Sequence, residues 1–590
     1  MLWIPKRSID EVNAIICGPG QMHEMETRLI DGRLQRVYKN LAPTLRQFWT
    51  SVAERCSQRT YIVFEQQRLS YQEAFERSVH IAAVFYKTYG VRKGDRVVIC
   101  SRNYPNYILA FWACHLLGAV CVLVNAWLPL KPLEHCFVVS QSKLVIMDST
   151  CATLLEHHTE KIASQAGTVA FLVWEHQEGK GQWEGMQLWS DILSAFDGDV
   201  GFVLTNEFDI LPEDNATILF TSGTTGLPKG VLSTQRMFLT NVFSILVPVI
   251  RVALRRGEDL PASPVNTQSD AAQSGILVPT PLFHATGCTA LMMIGTYTGS
   301  KVVLMRRWIP ENIRITGGVP SMASDLLESS AVGHPLASLF FGGAPPPDWL
   351  ARDFRAAFPT AILSQGYGLT ETNAAVVGNA GEDYLTRPTS AGLAAPVTDF
   401  LIMRDDIVAP VGELGEIWVR GPNVMKEYYR DPAATAKALT PDGWFKTGDV
   451  GLIDHEGFLY VRDRIKDMII RGGENIDCIS VENAVLADSR LHEVAAVGVP
   501  DRRLGELVAV VASVKSRYRG QVQEREVIDI ARKTLPKFAV PVMIVLQDSP
   551  LPRNPAGKTL KNELRPLAKV EWEQRHSASL GSSSDSQAKL

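Results

Sequence analysis

The run "ATILFTSGTTGLPKGV", Ala216 to Val231, decides how the rest of the chain is read. Its first five residues, "ATILF" (216–220), predict a buried strand, and a polar loop follows before the next apolar residues. The ten residues from Thr221 to Gly230 hold four hydroxyl side chains, three glycines and one lysine. That composition supplies hydrogen-bond donors and a cation, which suits an anion-binding nest. A flexible surface loop is the plain alternative, since Ser, Thr and Gly are common there. Spacing excludes two familiar phosphate loops. A Walker loop needs a hydroxyl residue directly after the lysine, where Gly230 stands, and a dinucleotide fingerprint needs a G-x-G-x-x-G that Gly223, Gly226 and Gly230 do not make.

The chain of 590 residues is 46% hydrophobic and 21% charged, an ordinary globular composition with room for roughly two to four domains. A net charge of -4 offers no basic field for nucleic acid. Nine scattered cysteines with no C-x-x-C pair predict reduced core thiols in an intracellular protein, not a zinc site or a disulfide framework. The N-terminus lacks the basic start and apolar core of a secretory signal. The most apolar stretch, Leu109 to Leu130, is interrupted by His115, Gly118, Asn125 and Pro129. It reads as a helix and a buried strand divided at Gly118, and no transmembrane segment is expected.

Helical patterns alternate with β-rich runs at "RVVIC" (96–100), "VCVLV" (120–124), "KLVIMD" (143–148), "ATILF" and "KVVLM" (301–305), which predicts layered α/β sheets. No internal repeat is found. Residues 255–274 are polar and rich in Pro, Ser and Gln, as in an exposed mobile insertion. From about 395 the texture changes to short strands between Gly, Pro and Asp, a β-rich subdomain to about 464. A small α+β domain is predicted from 465 to 567, with helices near 481–487 and 523–534. The expected fold class is therefore α/β: a large N-terminal domain of layered sheets plus the β-rich subdomain, and a small mobile C-terminal domain. Residues 1–44 form an N-terminal extension, and 568–590 a disordered Ser-rich tail.

Further along stand "PLFHATG" (281–287), "FGGAPPP" (341–347), "QGYGLTET" (365–372), "WFKTGDVG" (444–451), "DRIKDMIIRGGENI" (463–476) and "LPRNPAGKTLK" (551–561). Together with "TSGTTGLPKG", in this order and over residues 45 to 565, they resemble the adenylate-forming superfamily of acyl-CoA synthetases, luciferases and peptide-synthetase adenylation domains. The resemblance implies formation of an acyl-adenylate from ATP, Mg²⁺ and a carboxylic acid, with release of pyrophosphate. Thr221, Ser222, Gly223, Thr224, Thr225 and Lys229 would cradle the β,γ-phosphates. Glu371 would hold Mg²⁺, a hard ion suited to carboxylate and phosphate oxygens, and Thr370 would contact the α-phosphate. Gly342, Gly343, Gln365, Gly366 and Tyr367 would form the adenine site. Asp449 and Arg464 would bind the ribose, and Lys558 would bridge the attacking carboxylate and the α-phosphate. His284 would gate the acyl pocket, although a lone histidine there also fits a satisfied core residue.

By the same resemblance the C-terminal domain turns about Lys466, withdrawing Lys558 and bringing in Gly472 and Gly473, past which a thiol arm would run. Coenzyme A is the acceptor that "GGENI" favours. A peptide-synthetase module would need a carrier domain, and only 32 residues follow Lys558. A luciferase-like oxygenase stays open, as does an aryl (4-coumarate-like) CoA ligase. A silent scaffold would be expected to lose Glu371 or Lys558, and both are present. One departure stands out. Between "KVVLMRRWIPE" and "ITGGVPSM" lie three residues, about a dozen fewer than in such relatives, so the short 308–318 segment leaves an inactive homologue open. The acid is expected to be a medium- or long-chain aliphatic acid, of fatty-acid or secondary metabolism, with Trp127, Phe238, Phe243 and residues 281–290 forming an apolar pocket. The terminal Ala588-Lys589-Leu590 is a variant of the peroxisomal address, so an import receptor is the expected partner and the peroxisome, otherwise the cytoplasm, the expected location.

Overall fold

A computed structural model gives the fold and describes residues 3–221, 227–261, 273–305, 315–333, 336–344, 346–347, 349–472, 474–554 and 557–584. The chain divides into two compact units: 1–343, 351–400 and 419–446 in the first, and 344–350, 401–418 and 447–590 in the second.

The first unit is built on two large sheets. In one, the neighbouring strands run Glu427–Tyr428, Gly230–Thr234, Asn215–Phe220, Val120–Leu123, Arg96–Cys100, Leu144–Asp148, Ala170–Trp174 and Gln187–Leu188. The five strands from Asn215–Phe220 to Ala170–Trp174 are mutually parallel and buried almost throughout, as apolar runs such as "RVVIC" and "LVIMD" require. The second sheet has nine strands. At its centre Ile362–Leu369, Ser338–Gly342, Ile315–Gly318, Gly275–Val278, Lys301–Leu304 and Thr60–Phe64 lie parallel in that order.

One core cluster draws on both sheets and the helices with them. The helix Pro105–Leu116 opens with Pro at its first position, and its residues from Tyr107 to Leu116 are all buried, as befits a helix apolar on every side. Its Trp112 stacks on Trp49 at 4.7 Å with 9° between planes, and Trp112 Nε1 donates to Tyr61 of the second sheet at 3.0 Å. Gly118, at φ +69°, ends this helical stretch before Val120–Leu123, so the long apolar run is divided where expected. One helical stretch among the described residues, Gln235–Arg255, is long and apolar enough to cross a membrane. It comprises two successive helices, and its most apolar window is 67% buried inside the protein, as core helices are. All nine cysteines are free thiols.

The second unit holds most of a five-stranded sheet that ends with the antiparallel pair Phe445–Ile453 and Leu459–Arg464. The C-terminal part follows: helix Cys478–Leu486, the long hairpin Leu491–Asp501 with Gly505–Val514, helix Glu524–Ala531, and Met543–Gln547 parallel to Gly505–Val514. The mixed α/β class with a large N-terminal and a small C-terminal domain is thus as read from the sequence.

Some expectations change. The tail is helical through Lys561–Ser584, because Leu564 and Ala568 are buried against the hairpin and Trp572 Nε1 donates to Pro500 O at 3.0 Å. The insertion begins anchored: Arg255 is buried and pairs with Asp383 at 2.7 Å, and Arg256 pairs with Glu382 at 2.7 Å. Residues 262–272 of it lie outside the described residues. Phe238 and Phe243 belong to the core, the first against Phe111 and the second against His23, Tyr38 and Tyr297. The short segment falls mostly at 306–314, also outside the description. Its flanking strands, Lys301–Leu304 and Ile315–Gly318, run parallel on either side of Gly275–Val278 and are joined by ten residues, fewer than a helical crossover usually takes.

Candidate active site

In the first unit, the strand Asn215–Phe220 leads into the quoted loop and Gly230–Thr234 leads out, with Phe220 opposite Gly230. The Thr221 N–H donates to Lys229 O at 2.9 Å, which closes the base of the loop. Ser222, Gly223, Thr224 and Thr225 lie outside the described residues. Lys229 is exposed, its ammonium 5.0 Å from the ring centre of Tyr428.

The adenine-type segments sit at the ends of adjacent parallel strands. Gly342 and Gly366 are register partners, and a Cβ on Gly342 would lie 2.5 Å from Gly366 O, so no larger residue fits there. Gly343, at φ +81°, turns the chain out of the sheet. Gln365 is buried, and its Oε1 has no hydrogen-bond partner among the described residues, so it can accept from a ligand donor. Tyr367 precedes a β-bulge that leads into the turn Thr370–Thr372. That turn carries Thr370 and Glu371 and is closed by the Leu369 N–H on Thr372 Oγ1 at 2.9 Å. Asn373 and Ala374 follow at φ +53° and +84°, a strained exit for non-glycine residues. Asn423 secures it: Asn373 Nδ2 donates to Asn423 O at 3.0 Å, and Asn423 Nδ2 donates to Thr372 O at 3.1 Å. Glu371 Oε1 accepts from the Tyr428 hydroxyl at 2.8 Å.

His284 is partly buried two residues before the seven-residue π-helix Thr286–Met292, a form frequent at functional sites. Asn103, in the bend between the strand Arg96–Cys100 and the helix Pro105–Leu116, holds this segment, donating to Thr280 O at 2.9 Å and accepting from the Leu282 N–H at 2.8 Å. Trp127 is half-exposed and meets Phe283 edge-on at 5.1 Å.

The second unit gathers a separate group. Asp449 and Arg464 are paired residues of adjacent strands, and Arg464 Nε lies 3.1 Å from Asp449 Oδ1. Arg464 and Asp449 act on Lys558, as do Asp467 and Lys466. Burial, then the Arg464 charge, brings the Lys558 ammonium down to about 8. Lys466 is lowered by the same two causes. The Lys558 loop is folded on Asn554, whose Oδ1 accepts from the Lys558 N–H at 2.9 Å and whose N–H donates to Lys558 O at 2.8 Å. Gly472, at φ +61°, donates its N–H to Leu504 O at 2.7 Å; Gly473 lies outside the described residues.

Tyr428, Asn423, Asn373 and Asn103 were not among the residues singled out from the sequence. Asn373 directly follows the "TET" turn and could have been suspected from its tolerance of left-handed backbone. The other three reach the site from distant segments and leave no local signal.

A glycine-lined strand end, a carboxylate turn and a Ser/Thr/Gly/Lys loop on one unit, with an Asp–Arg–Lys group on another, define an adenylate-forming enzyme. The family model for the AMP-binding enzyme matches residues 48–429, and that for the AMP-binding enzyme C-terminal domain matches 480–558. The chain belongs to the AMP-binding enzyme family and is an AMP-forming acyl-CoA ligase, a class that uses ATP, Mg²⁺ and coenzyme A. It is 30% identical over 490 residues to the long-chain-fatty-acid–CoA ligase FadD13 of Mycobacterium tuberculosis, covering 81% of this chain and 88% of that one. It is 32% identical over 533 residues to the 2-succinylbenzoate–CoA ligase of Bacillus velezensis, covering 88% and 97%. The solved o-succinylbenzoate CoA synthetase (MenE) of Bacillus subtilis, in complex with its acyl-adenylate intermediate OSB-AMP, matches with a TM-score of 0.72 at 28% identity, over 89% of this chain and 98% of that one.

Proposed function

We propose that the protein activates a medium- or long-chain aliphatic acid in the peroxisome, using the residues described above in separate half-reactions. The grouping of Asp449, Arg464 and Lys558 in one unit is the observation that carries the assignment of roles. In this reading the Asp449–Arg464 pair receives the ribose diol, and the Lys558 ammonium meets the reacting anions. Lys558 binds the attacking carboxylate and the α-phosphate together, lowering their repulsion. Thr370 orients the same phosphate, and Thr221, Lys229 and the intervening loop residues bind the leaving pyrophosphate. Gly342, Gly343 and Gly366 let the adenine lie against backbone beside Tyr367, with Gln365 Oε1 as an acceptor.

The donor set fits Mg²⁺. No cluster of three or more His, Cys, Asp or Glu occurs among the described residues, and Glu371 alone suits an ion that takes its other ligands from phosphates and water. When bound, Mg²⁺ neutralises developing phosphate charge. After adenylation, rotation about Lys466 withdraws Lys558 and presents Gly472 and Gly473 to the pantetheine thiol, with His284 at the acyl end of its path. FadD13 acts on long-chain fatty acids by its name, which supports the aliphatic reading. An aryl acid is the second reading, favoured by the half-exposed Trp127 against Phe283 next to His284.

Carboxylate-dependent ATP–pyrophosphate exchange, followed by CoA consumption across acids of graded chain length and aryl acids, tests this reading. Folded protein without exchange on that panel refutes it, and a preference for aryl acids selects the second reading. Ala588-Lys589-Leu590 supports the peroxisomal address. A fluorescent protein bearing the last twelve or so residues is expected in peroxisomes, and a diffuse signal removes this part.

A further inference from the structure

The short strand Glu427–Tyr428 closes one edge of the eight-stranded sheet, antiparallel to Gly230–Thr234, with Tyr428 opposite Val231. The Tyr429 N–H donates to Gly230 O at 2.7 Å, and the Tyr428 N–H donates to Thr435 Oγ1 at 3.0 Å. The backbone around Tyr428 is thus tied to the end of the phosphate loop on one side and to the helix Pro432–Ala438 on the other. The side chain meets two groups of the site. Its hydroxyl donates to Glu371 Oε1 at 2.8 Å, and Lys229 Nζ lies 5.0 Å from its ring centre. The residue is 9% exposed, so most of the ring is packed against the protein.

We propose that Tyr428 is a positioning residue that sets Glu371 for the metal through its hydroxyl and Lys229 for the leaving phosphates through its ring. The inference rests on the roles assigned above to Glu371 and Lys229. A glutamate on a short turn has several rotamers. A hydrogen bond to Oε1 selects one of them, as outer-sphere partners do for metal-binding carboxylates. The aromatic face restrains the lysine in a complementary way. It attracts the ammonium without supplying a counter-anion, so the full positive charge stays available to phosphate. A carboxylate in the same place would hold the lysine more tightly but would compete with the nucleotide for it.

Two substitutions in the full-length protein separate the two contacts. Tyr428→Phe keeps the ring and removes the hydroxyl; Tyr428→Leu removes both. Mn²⁺ is titrated by electron paramagnetic resonance in the presence of α,β-methylene-ATP, and metal-free pyrophosphate binding is measured by calorimetry. Tyr428→Phe is expected to weaken Mn²⁺ binding about 10- to 100-fold, as loss of an outer-sphere partner does. Its pyrophosphate affinity and thermal midpoint should match the wild type. Tyr428→Leu should weaken both ligands. Wild-type Mn²⁺ affinity in Tyr428→Phe overturns the proposal, as does a loss that tracks a lowered thermal midpoint. Unchanged pyrophosphate affinity in Tyr428→Leu overturns the part that concerns Lys229. Glu371→Gln tests the reading beneath: if it binds Mn²⁺ like the wild type, Glu371 is not the metal ligand, and the proposal falls with that assignment rather than with Tyr428.

Discussion

Lys558 sits where its surroundings oppose its charge. Burial and Arg464 bring it down to about 8, so it keeps its proton at neutral pH and loses it well before an ordinary lysine would. Its proposed role requires the ammonium. The kcat/KM for adenylation reports the free enzyme, and it is expected to fall about tenfold per pH unit above about 8. A profile flat to pH 10 in ATP–pyrophosphate exchange would show that Lys558 does not act as a cation. Lys558→Ala should lower exchange by about 10²- to 10³-fold, the usual effect of removing one charge-stabilising donor. Thioester formation from supplied acyl-adenylate should change much less. At this scale the sequence nominated residues inside linear motifs, Lys558, Glu371, Asp449 and Arg464 among them, and the roles proposed for them rest on those motifs. Tyr428 and Asn423 could not be nominated, because a Tyr in "KEYYR" or an Asn in "GPNVM" is chemically unremarkable until its neighbour across the fold is known.

Elements are held to one another by a few buried polar contacts as well as by apolar packing. Lys561 opens the last helix, three residues after Lys558, and its Nζ lies 2.7 Å from Glu482 of the helix Cys478–Leu486, both side chains mostly buried. Lys561→Met would leave Glu482 buried without its cation, a loss of about 3 kcal/mol. Replacing Glu482 by Leu in the same chain should recover most of it, as denaturant unfolding would reveal. At the other end, the capping box of Ser8 and Glu11 starts the helix Ile9–Ile16, which packs Val12 and Ile16 against Val247 and Leu254. Asn13 Oδ1 accepts from Arg251 Nε at 3.1 Å and Nη2 at 3.0 Å, a contact that satisfies a buried guanidinium. Asn13→Ala is expected to cost about 1–3 kcal/mol, and an unchanged unfolding midpoint would count against this role. The existence of most elements was legible from periodicity. Their partners were not: apolar Phe238 and Phe243 could line a pocket or fill a core, and only their neighbours show that they fill the core.

Across the whole molecule, the residues proposed for nucleotide chemistry are shared between two units, with Glu371 and Lys229 on one and Asp449, Arg464 and Lys558 on the other. Lys466 lies within the second unit, between Arg464 and Lys558 in the chain, and changes at this proposed hinge should affect the half-reactions unequally. Lys466→Pro fixes φ at the proposed hinge, and thioester formation is expected to slow by about tenfold or more while pyrophosphate exchange is largely kept. Equal loss in both half-reactions, measured separately, would remove Lys466 from the hinge role. By itself the sequence determined the class of fold and nominated the residues proposed for the site, since strand–loop motifs and their order are local properties of the chain. Only the tertiary structure decided which side chains hold those residues in place. The Tyr428–Glu371 bond, the Asn373–Asn423 clamp and the Asn103 bridge join segments between 50 and 179 residues apart, and contacts at such separations leave no periodicity to read.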